Sequence, residues 1–431
     1  MKISHFNSTI FLDKKLCVIY NAYSDRYLIT KKANANDKLQ DVDSLKTIDS
    51  KFYENLVDIG YLIEDNIDEL KLVKEIQNKV DNNDTNYNLI INPTLDCNFN
   101  CWYCYETHVS NSSLSNEVIK NIKNFIFNVV NRSTLLTFHL SFFGGEPFIQ
   151  FKTVREIIEY TSKQCKLYNK KFTLSFTTNG FLLDDKKISY LSNYNTSMQI
   201  TLDGYKTDHD RTRYTRNGSS GSYDRIIQNI KKLIDQKISV ILRINYTEKN
   251  INESHNIIAD LYSINTVNRN LLNIDFHRVW QDSDKENISE TTNHIIDLFS
   301  ENGFNAYKYP LNNVRSSCYA DKVNQALINY NGDVFKCTAL NFTKTVRDGY
   351  LDANGEIVWE NNSFQIRKNI KFNNKPCLEC RILPICNGGC SQKAVDFSGS
   401  SYCVFGFSDV KKDDQILDRL RYIIKSESKL I

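Results

Sequence analysis

Three cysteines, Cys97, Cys101 and Cys104, stand close together with C-x3-C-x2-C spacing. Three thiolates on one short loop can hold three irons of a 4Fe–4S cube, whereas clusters that only transfer electrons usually have a cysteine on every iron. The fourth iron of such a cube would lack a protein ligand. We therefore expect something else to bind it, and an open iron that binds and reduces a small molecule is a catalytic arrangement.

Two other interpretations of these cysteines are weaker. Structural zinc sites usually have four protein ligands, and the nearest further candidate is His108. Disulfides suit exported proteins, but residues 1–12 are interrupted by Lys2 and His5 and lack the apolar core of a secretory signal. The sequence favours an iron–sulfur cluster over both alternatives.

The composition is that of an ordinary globular protein. Its 431 residues are 41% hydrophobic and 12% aromatic, which is enough for two or three domains. The net charge is +3, from 54 basic and 51 acidic residues, so no strong field favours nucleic acid or anionic lipid. No apolar run approaches the roughly 18 residues of a membrane span. Twelve cysteines without an export signal indicate a reducing compartment, and we expect a cytoplasmic protein.

Residues 1–80 predict a small module of winged-helix type. Short apolar runs between residues 9 and 30 indicate two or three antiparallel strands. The expected helices are 43–45, 51–59 and 65–80, with a wing strand at 61–63. The polar stretch 81–86 follows as a linker.

Strands alternate with helices over 87–310, which is typical of a parallel α/β fold. The expected strands are 88–93, 137–143, 172–178, 197–202, 239–245 and 273–278. The expected helices are 115–130, 152–168, 184–193, 223–236, 251–262 and 290–300. Six such units predict a partial, TIM-like (β/α)6 barrel, in which chemistry takes place at the C-terminal ends of the strands. The three-cysteine loop follows the first strand and is therefore expected at that end.

Residues 311–431 form the third predicted part. They contain seven cysteines and little hydrophobic periodicity, so we expect a loop-rich domain that is organised by metal ligation.

A Gly-Gly-Glu-Pro turn follows the second strand. Its paired glycines, Gly144 and Gly145, let a ligand approach the backbone closely. Glu146, or the carbonyls beside it, could accept a hydrogen bond from an ammonium group. Such a turn is a weak signal alone, but its position one βα unit after the cysteine loop makes it a strong one.

The cysteine spacing after the first strand and the Gly-Gly-Glu-Pro turn after the second resemble the radical S-adenosylmethionine (SAM) superfamily. The resemblance implies that SAM chelates the open iron through its amino and carboxylate groups. One electron from the cluster then cleaves SAM to methionine and a 5′-deoxyadenosyl radical, which abstracts hydrogen. The cofactor supplies the radical, and the protein positions and shields it.

Further positions match the SAM pocket of that superfamily. They are Tyr103, Thr178, Asn179, Thr201, Asp203 and Arg213. The resemblance implies that Tyr103 lies near the adenine and Thr201 near the ribose or the amino-acid part. It also implies that Arg213 pairs with the carboxylate, a task that a guanidinium suits.

Two further pairs of residues are less specific. We interpret His209 with Asp210 as structural hydrogen-bonding groups rather than a proton shuttle. His277 and Trp280 end the sixth strand and face the expected mouth of the barrel, although aromatic side chains at strand ends more often belong to the core.

The C-terminal cysteines resemble the SPASM extension of the superfamily, which carries two auxiliary 4Fe–4S clusters and would bring the total to three. The resemblance assigns the outer cluster to Cys377, Cys380, Cys386 and Cys403. It assigns the inner cluster to Cys318, Cys337 and Cys390, which leaves that cluster one ligand short. Two zinc ribbons are the structural alternative.

SPASM enzymes mostly modify peptides or proteins, and two classes compete here. One class matures ribosomally made peptides by installing thioether or carbon–carbon crosslinks. The other is the anaerobic sulfatase-maturing enzyme, which makes formylglycine. Thr338 stands where that family has an Asp base, and no cysteine lies between Cys318 and Cys337, so the second class is disfavoured. A non-catalytic iron–sulfur electron carrier or sensor is a third alternative.

The resemblance also implies partners. Peptide maturases often carry a winged-helix-like domain that binds the leader segment of the precursor peptide, usually by strand addition at an exposed sheet edge. Residues 27–30 or 10–12 would supply that edge; alternatively, residues 1–80 only brace the barrel. The expected reductant is of flavodoxin or ferredoxin type.

Overall fold

The computed structural model describes residues 1–216, 221–279, 281–282, 288–308, 316–360, 363–370, 372–397 and 401–427. Trp280 lies outside these residues. The chain divides into two compact units. The first comprises residues 1–83, 310–323 and 362–431, and the second comprises residues 84–309 and 324–361. The two ends of the chain therefore fold together as one unit.

The N-terminal part of the first unit is a small antiparallel sheet with helices. Its elements are β1 (Lys2–Ile3), β2 (Asn7–Phe11), β3 (Leu16–Asn21), β4 (Arg26–Lys31), α1 (Lys32–Lys38), α2 (Val42–Ile48), α3 (Ser50–Asp58), β5 (Leu62–Ile63) and α4 (Glu69–Asp81). The main sheet has the order β2-β3-β4, and β1 pairs with β5. The α3 and α4 helices begin after Asp49 and Asp68, whose carboxylates accept hydrogen bonds from backbone amides of the first turn.

The central strand β3 is buried on both faces. Val18 and Tyr20 belong to a core that also contains Ile382 and Leu383 from the C-terminal part of the same unit. Ile19, between them, points to the opposite face and packs in a core with α2 and α3. The N-terminal sheet therefore lies between its own helices and the C-terminal segment.

The second unit contains the predicted alternation of strands and helices. Its first elements are β6 (Asn86–Ile91), α5 (Asn116–Val130), β7 (Thr137–Phe142), α6 (Phe151–Leu167), β8 (Lys171–Thr178), α7 (Asp185–Leu191), β9 (Thr196–Asp203), α8 (Lys206–Thr212), α9 (Tyr223–Asp235) and β10 (Ser239–Tyr246). They are followed by α10 (Ile257–Leu261), β11 (Leu272–Arg278), α11 (Ile288–Glu301), β12 (Asn305–Lys308), β13 (Gln325–Ile328), β14 (Asp333–Phe335), β15 (Gly349–Leu351) and β16 (Ile357–Trp359). The α/β expectation is confirmed.

These strands form one sheet of order β12-β11-β10-β9-β8-β7-β6-β13-β14-β15-β16. The pairings from β12 to β13 are parallel, and those from β13 to β16 are antiparallel. The sequence predicted six parallel strands, but within the described residues β12 and β13 extend the parallel part at both sides. Strand β13 lies in a stretch that the sequence assigned to the C-terminal domain.

The two faces of the parallel strands differ in character. On β9, Met198, Ile200 and Leu202 belong to the core shared with the surrounding helices. Thr201 and Asp203 alternate with them and so share the opposite face, because successive strand side chains point to opposite sides. This face carries polar groups to the C-terminal ends of the strands.

The C-terminal part of the first unit is mostly helical. Its helices are α12 (Ser363–Ile370), α13 (Lys375–Leu378), α14 (Leu383–Cys386), α15 (Ser391–Asp396) and α16 (Asp409–Glu427). The expectation of little periodicity is wrong for α16, which has 19 residues. Its buried apolar residues, Ile416 and Leu420, are one turn apart, and the many charged residues around them hide the pattern. In the described part of the chain, no helix is long and apolar enough to cross a membrane.

Substituting Gly355 tests whether residues 324–361 pack on the barrel helices. A Cβ at Gly355 would lie 2.3 Å from the amide nitrogen of Phe125 in α5. We expect Gly355→Ala to lower the free energy of unfolding by about 1–3 kcal/mol more than Gly332→Ala, because the added methyl overpacks a tight contact. Gly332 has a similar positive φ, but a Cβ there meets only Val118, at 3.7 Å. Equal losses for the two variants in denaturant titrations would contradict this packing.

Candidate active site

The three-cysteine loop joins β6 to α5 at the C-terminal end of the sheet. Cys97 is buried, Cys101 half-buried and Cys104 exposed. Burial raises the pKa of Cys97 to about 12, so its thiol is neutral unless a metal binds it. Metal ligation uses the thiolate, and a bound metal deprotonates the thiol. Three thiols on one loop therefore suit a metal cluster as donors.

The Gly-Gly-Glu-Pro turn packs directly on this loop. The Glu146 amide donates to the Asp96 carbonyl at 2.8 Å. A Cβ at Gly145 would lie 2.1 Å from that carbonyl oxygen, and one at Gly144 would lie 2.5 Å from Asn92. Both glycines also have positive φ, so they permit the close approach of the turn to the cysteine loop.

The Glu146 carboxylate is directed into the protein. It accepts hydrogen bonds from the Thr178 hydroxyl at 2.8 and 2.9 Å, and from the amides of Asn179 at 2.9 Å and Phe148 at 3.1 Å. Burial raises the pKa of Glu146 to about 6, although its hydrogen bonds oppose the shift. The carboxylate thus ties the end of β7 to the end of β8. That the backbone carbonyls beside Glu146 accept hydrogen bonds from an ammonium group stays a prediction.

The Tyr103 hydroxyl is the centre of a buried polar network. It donates to the Asp203 carboxylate at 2.7 Å. It accepts from Arg213 Nη1 at 2.7 Å and from Asn245 Nδ2 at 3.1 Å. These bonds use the one donor and both acceptor positions of a phenol. They connect the cysteine loop to the ends of β9 and β10.

The segment that carries Arg213 is paired with the cysteine loop. Thr215 forms an antiparallel bridge with Phe99, and the Arg216 amide donates to the Asn98 carbonyl at 3.0 Å. Arg213 itself forms an ion pair with Asp203 at 3.8 Å. Its Nε atom is buried and has no hydrogen-bond partner in the described part of the structure. An unsatisfied guanidinium donor fits a further anionic acceptor, such as the SAM carboxylate.

The remaining predicted pocket residues lie at the same end of the sheet. Asn179 donates through Nδ2 to the Asn98 side chain at 2.8 Å, which connects the end of β8 to the cysteine loop. Thr201 is buried two residues before Asp203 on β9. The contacts of all these side chains with SAM stay a prediction.

His209 is built into the fold. Its Nδ1 accepts from the Asp203 amide at 3.2 Å, and its Nε2 lies 2.9 Å from the Ser222 hydroxyl. Burial lowers the pKa of His209 well below its usual value, so the ring is neutral. Asp210 accepts from the amides of Ser222 and Tyr223 at the start of α9. These contacts agree with the structural role that the sequence suggested.

Two side chains of this site were not singled out in the sequence. Asn245 reaches Tyr103 from the end of β10, and Glu106 accepts from the Gly145 amide at 2.7 Å. Asn245 ends the predicted fifth strand, so its position along the chain was a usable signal. Glu106 offered no comparable signal, because it lies in an irregular loop.

The four cysteines assigned to the outer cluster line one pocket in the first unit. They are Cys377, Cys380, Cys386 and Cys403. The walls of this pocket also include Ile382, Leu383 and Phe405. Burial, and next the neighbouring Cys377, raise the pKa of Cys386 to about 12. Four thiols around an apolar pocket suit an iron–sulfur cluster as a donor set.

The inner-cluster cysteines are divided between the two units. Cys318 and Cys390 belong to the first unit, and Cys337 belongs to the second. Their common ligation of a cluster stays a prediction. Among the described residues, no three His, Cys, Asp or Glu side chains are grouped so that they could hold a single metal ion.

Tyr103→Phe tests the polar network. The variant should lower the free energy of unfolding by about 1–3 kcal/mol, because Asp203, Arg213 and Asn245 lose a buried partner. Tyr214→Phe is the matched control, since its hydroxyl accepts a 3.3 Å hydrogen bond from Asn100 in an exposed position. Denaturant titration that found the two variants equally stable would show that the Tyr103 hydroxyl is not the centre of this site.

Comparison with protein-family models assigns residues 91–260 to the radical SAM superfamily. The matched range begins at the end of β6 and includes the three-cysteine loop, the Gly-Gly-Glu-Pro turn and the Tyr103 network. Radical SAM domains use SAM and a 4Fe–4S cluster, which agrees with the donor set described above.

Curated relatives include a radical SAM cyclopropyl synthase and a sulfatase-maturating enzyme. The radical SAM cyclopropyl synthase TigE of Paramaledivibacter caminithermalis is 23% identical over 239 residues, covering 52% of this chain and 48% of TigE. The cysteine-type anaerobic sulfatase-maturating enzyme of Clostridium novyi is 27% identical over 159 residues, covering 35% of this chain and 41% of that enzyme. The chain thus spans about half the length, or less, of these relatives.

Among solved structures, Streptococcus suis SuiB bound to its precursor peptide SuiA is similar, with a TM-score of 0.53. The two are 15% identical, and the match covers 93% of this chain and 98% of SuiB. At this identity the likeness shows the fold alone. Residues 91–260 of this chain therefore match the radical SAM superfamily.

Proposed function

We propose that this chain is a radical SAM peptide maturase of the SPASM type that installs a crosslink, thioether or carbon–carbon, in a ribosomally made precursor peptide. The observation that carries the proposal is the position of the three-cysteine loop at the C-terminal end of the sheet. Gly145, Glu146 and the Tyr103 network hold the loop there. The cluster at this loop, when bound, supplies the electron that cleaves SAM.

The chain's own residues would position SAM. Arg213 would bind the carboxylate through its unsatisfied donor, while Asp203 holds the guanidinium in place. Tyr103, fixed by three hydrogen bonds, would present its ring to the adenine. Thr201 would contact the ribose or the amino-acid part. Because most of these groups are buried, the site would exclude water from the reactive intermediate.

A second candidate function is sulfatase maturation, which the named Clostridium novyi relative supports. Against it, Thr338 follows Cys337 in the position where an Asp base is expected, and no cysteine lies between Cys318 and Cys337. A maturase of small peptides therefore has better support.

Peptide capture would use an outer strand of the N-terminal sheet. Strands β2 and β4 are the two edges. Ser8 of β2 is hydrogen-bonded to Arg381, whereas none of the β4 residues is buried and Ile29 is 49% exposed. This favours residues 27–30 over 10–12 as the docking edge for a leader strand. SuiB, which is also similar along nearly its whole length, was solved with its precursor peptide bound.

The cysteine-lined pocket of the first unit would hold an auxiliary cluster that passes the surplus electron out of the enzyme. A second auxiliary cluster would use Cys318, Cys337 and Cys390. A flavodoxin- or ferredoxin-type protein in the cytoplasm would supply the reducing electron.

Reductive SAM cleavage is the first test of this function. The anaerobically reconstituted protein should convert SAM and dithionite to 5′-deoxyadenosine, and the triple variant Cys97→Ala, Cys101→Ala, Cys104→Ala should lose at least about a hundred-fold in rate, because no cluster forms. Chromatographic quantitation of 5′-deoxyadenosine gives the rate.

Cys165→Ala is the matched control for that experiment, since Cys165 is a buried core residue of α6. It should retain the activity per folded molecule. Continued production of 5′-deoxyadenosine by the triple variant would refute the assignment, and a wild-type protein that makes none would support an electron carrier or sensor instead.

Single substitutions on β4 test leader capture. Deleting residues 1–80 would be ambiguous, because it removes one side of the core that contains Ile382 and Leu383. Ile29→Lys should instead weaken binding of the precursor peptide by about ten-fold (about 1.4 kcal/mol), as measured by fluorescence anisotropy.

Ile48→Lys is the control for Ile29→Lys. It places the same charge on an exposed isoleucine of α2 in the same unit, and its affinity for the precursor should match that of the wild type. Equal affinities of both variants would argue against β4 as the docking edge.

A further inference from the structure

The cysteine-lined pocket and the N-terminal sheet share one hydrophobic core. Ile382 and Leu383 line the pocket and are fully buried in the core that contains Val18 and Tyr20 of β3. Three of the pocket cysteines, Cys377, Cys380 and Cys386, also pack against this core. The residues between the second and third pocket cysteines therefore contact the thiol pocket on one side and the sheet on the other.

Polar contacts reinforce this junction. Arg381, between Cys380 and Ile382, donates through Nη1 to the Ser8 hydroxyl of β2 at 2.7 Å and pairs with Asp413 of α16 at 2.8 Å. Asp25, in the turn between β3 and β4, accepts from Arg419 of α16 at 3.0 Å and from Tyr20 at 2.7 Å. These contacts between the sheet and the C-terminal part form only while the C-terminal part stays in place beside the sheet.

A third junction lies immediately after Cys386. Asn387 adopts a left-handed conformation with φ of 53° and ends α14. Its side chain accepts from Gln77 of α4 at 2.5 Å and donates to the Ser316 carbonyl at 2.9 Å. The conformation of the chain next to a pocket cysteine thus sets the position of the N-terminal helix α4.

The stretch 375–386, which carries three of the pocket cysteines, has little local structure that could hold it in place alone. Helices α13 and α14 have four residues each, far fewer than an isolated helix needs to be stable. Ligation of four thiolates by one cluster would fix these two helices and the loop of Cys403 relative to each other. Without this ligation, Ile382 and Leu383 would pack less firmly against β3.

We propose that occupancy of the Cys377, Cys380, Cys386 and Cys403 site and the folding of the N-terminal sheet are thermodynamically linked. A loaded site stabilises the sheet, and by reciprocity an intact sheet slows the loss of iron from the site. A chain without this cluster would then bind its peptide more weakly than the loaded enzyme does. The linkage rests on the proposed function for the identity of the cluster and the peptide.

Hydrogen–deuterium exchange of the full-length, anaerobically reconstituted protein tests the linkage. In Cys386→Ser, the β3 amides (Leu16–Asn21) should exchange at least about ten-fold faster than in the wild type, because the sheet opens more often. The β9 amides (Thr196–Asp203), in the other unit, should exchange at the wild-type rate. Cys97→Ser is the matched control, since it removes the barrel cluster and should leave β3 unchanged.

The reciprocal experiment compares two neighbouring residues of β3. Val18 faces the shared core, and Ile19 faces α2 and α3. In the Cys97→Ser background, Val18→Ala should release iron to EDTA several-fold faster than Ile19→Ala, as followed by bleaching of the cluster absorbance. Both variants remove buried methyl groups from the same strand, so a general loosening of the sheet would affect them alike.

The outcomes separate the linkage from the proposed function. Wild-type β3 exchange in Cys386→Ser, or equal iron release from the two β3 variants, would overturn the linkage. If the β9 amides also exchange faster in Cys386→Ser, the variant has loosened the whole protein. In that case the iron release from Val18→Ala and Ile19→Ala decides whether the linkage exists. Equal iron contents in the wild type and Cys386→Ser would instead show that Cys386 ligates no cluster. That result would contradict the outer cluster, which is part of the proposed function.

Discussion

The close backbone contact between the Gly-Gly-Glu-Pro turn and the cysteine loop is the constraint on which the active site depends. The Glu146 amide is bonded to the Asp96 carbonyl, and the missing side chain of Gly145 leaves room for that oxygen. The Glu146 carboxylate then holds Thr178 and Asn179 at the end of the next strand. One contact thus fixes the ends of three neighbouring strands around the thiols.

The rest of the site extends this arrangement around the sheet. The Tyr103 hydroxyl connects the cysteine loop to Asp203 on β9 and Asn245 on β10. Arg213 completes the network from a segment that is itself paired with the loop. The polar groups that face the predicted SAM position therefore come from several strands. Their mutual hydrogen bonds hold these groups in place, which would lower the cost of binding a ligand.

Local patterns predicted the alternating strands and helices of the α/β part well, because these elements follow simple periodicities. The expected helix at 115–130 matches α5, and strand 239–245 lies within β10. Four-residue β13 was missed because every residue in it is buried, so its sequence has no alternation. The charged helix α16 was missed because few of its positions are buried.

For the site, spacing alone identified the cysteines and the turn, while tertiary contacts could not be read from the sequence. The direction of the Glu146 carboxylate depends on Thr178, more than thirty residues away along the chain. The core that Val18 shares with Leu383 joins residues from opposite ends of the chain. No local periodicity reports such contacts, so the sequence suggested a separate N-terminal module where the structure has one unit.

The central claim is that three thiolates leave one iron of the barrel cluster free for SAM. Electron–nuclear double resonance of the reduced protein, mixed with SAM that carries ¹⁵N in its amino group, tests it most directly. The account predicts a hyperfine coupling between the label and the cluster of the wild-type protein, which should vanish in Cys97→Ser. A fully reduced wild-type cluster without any coupling to the label would contradict the account.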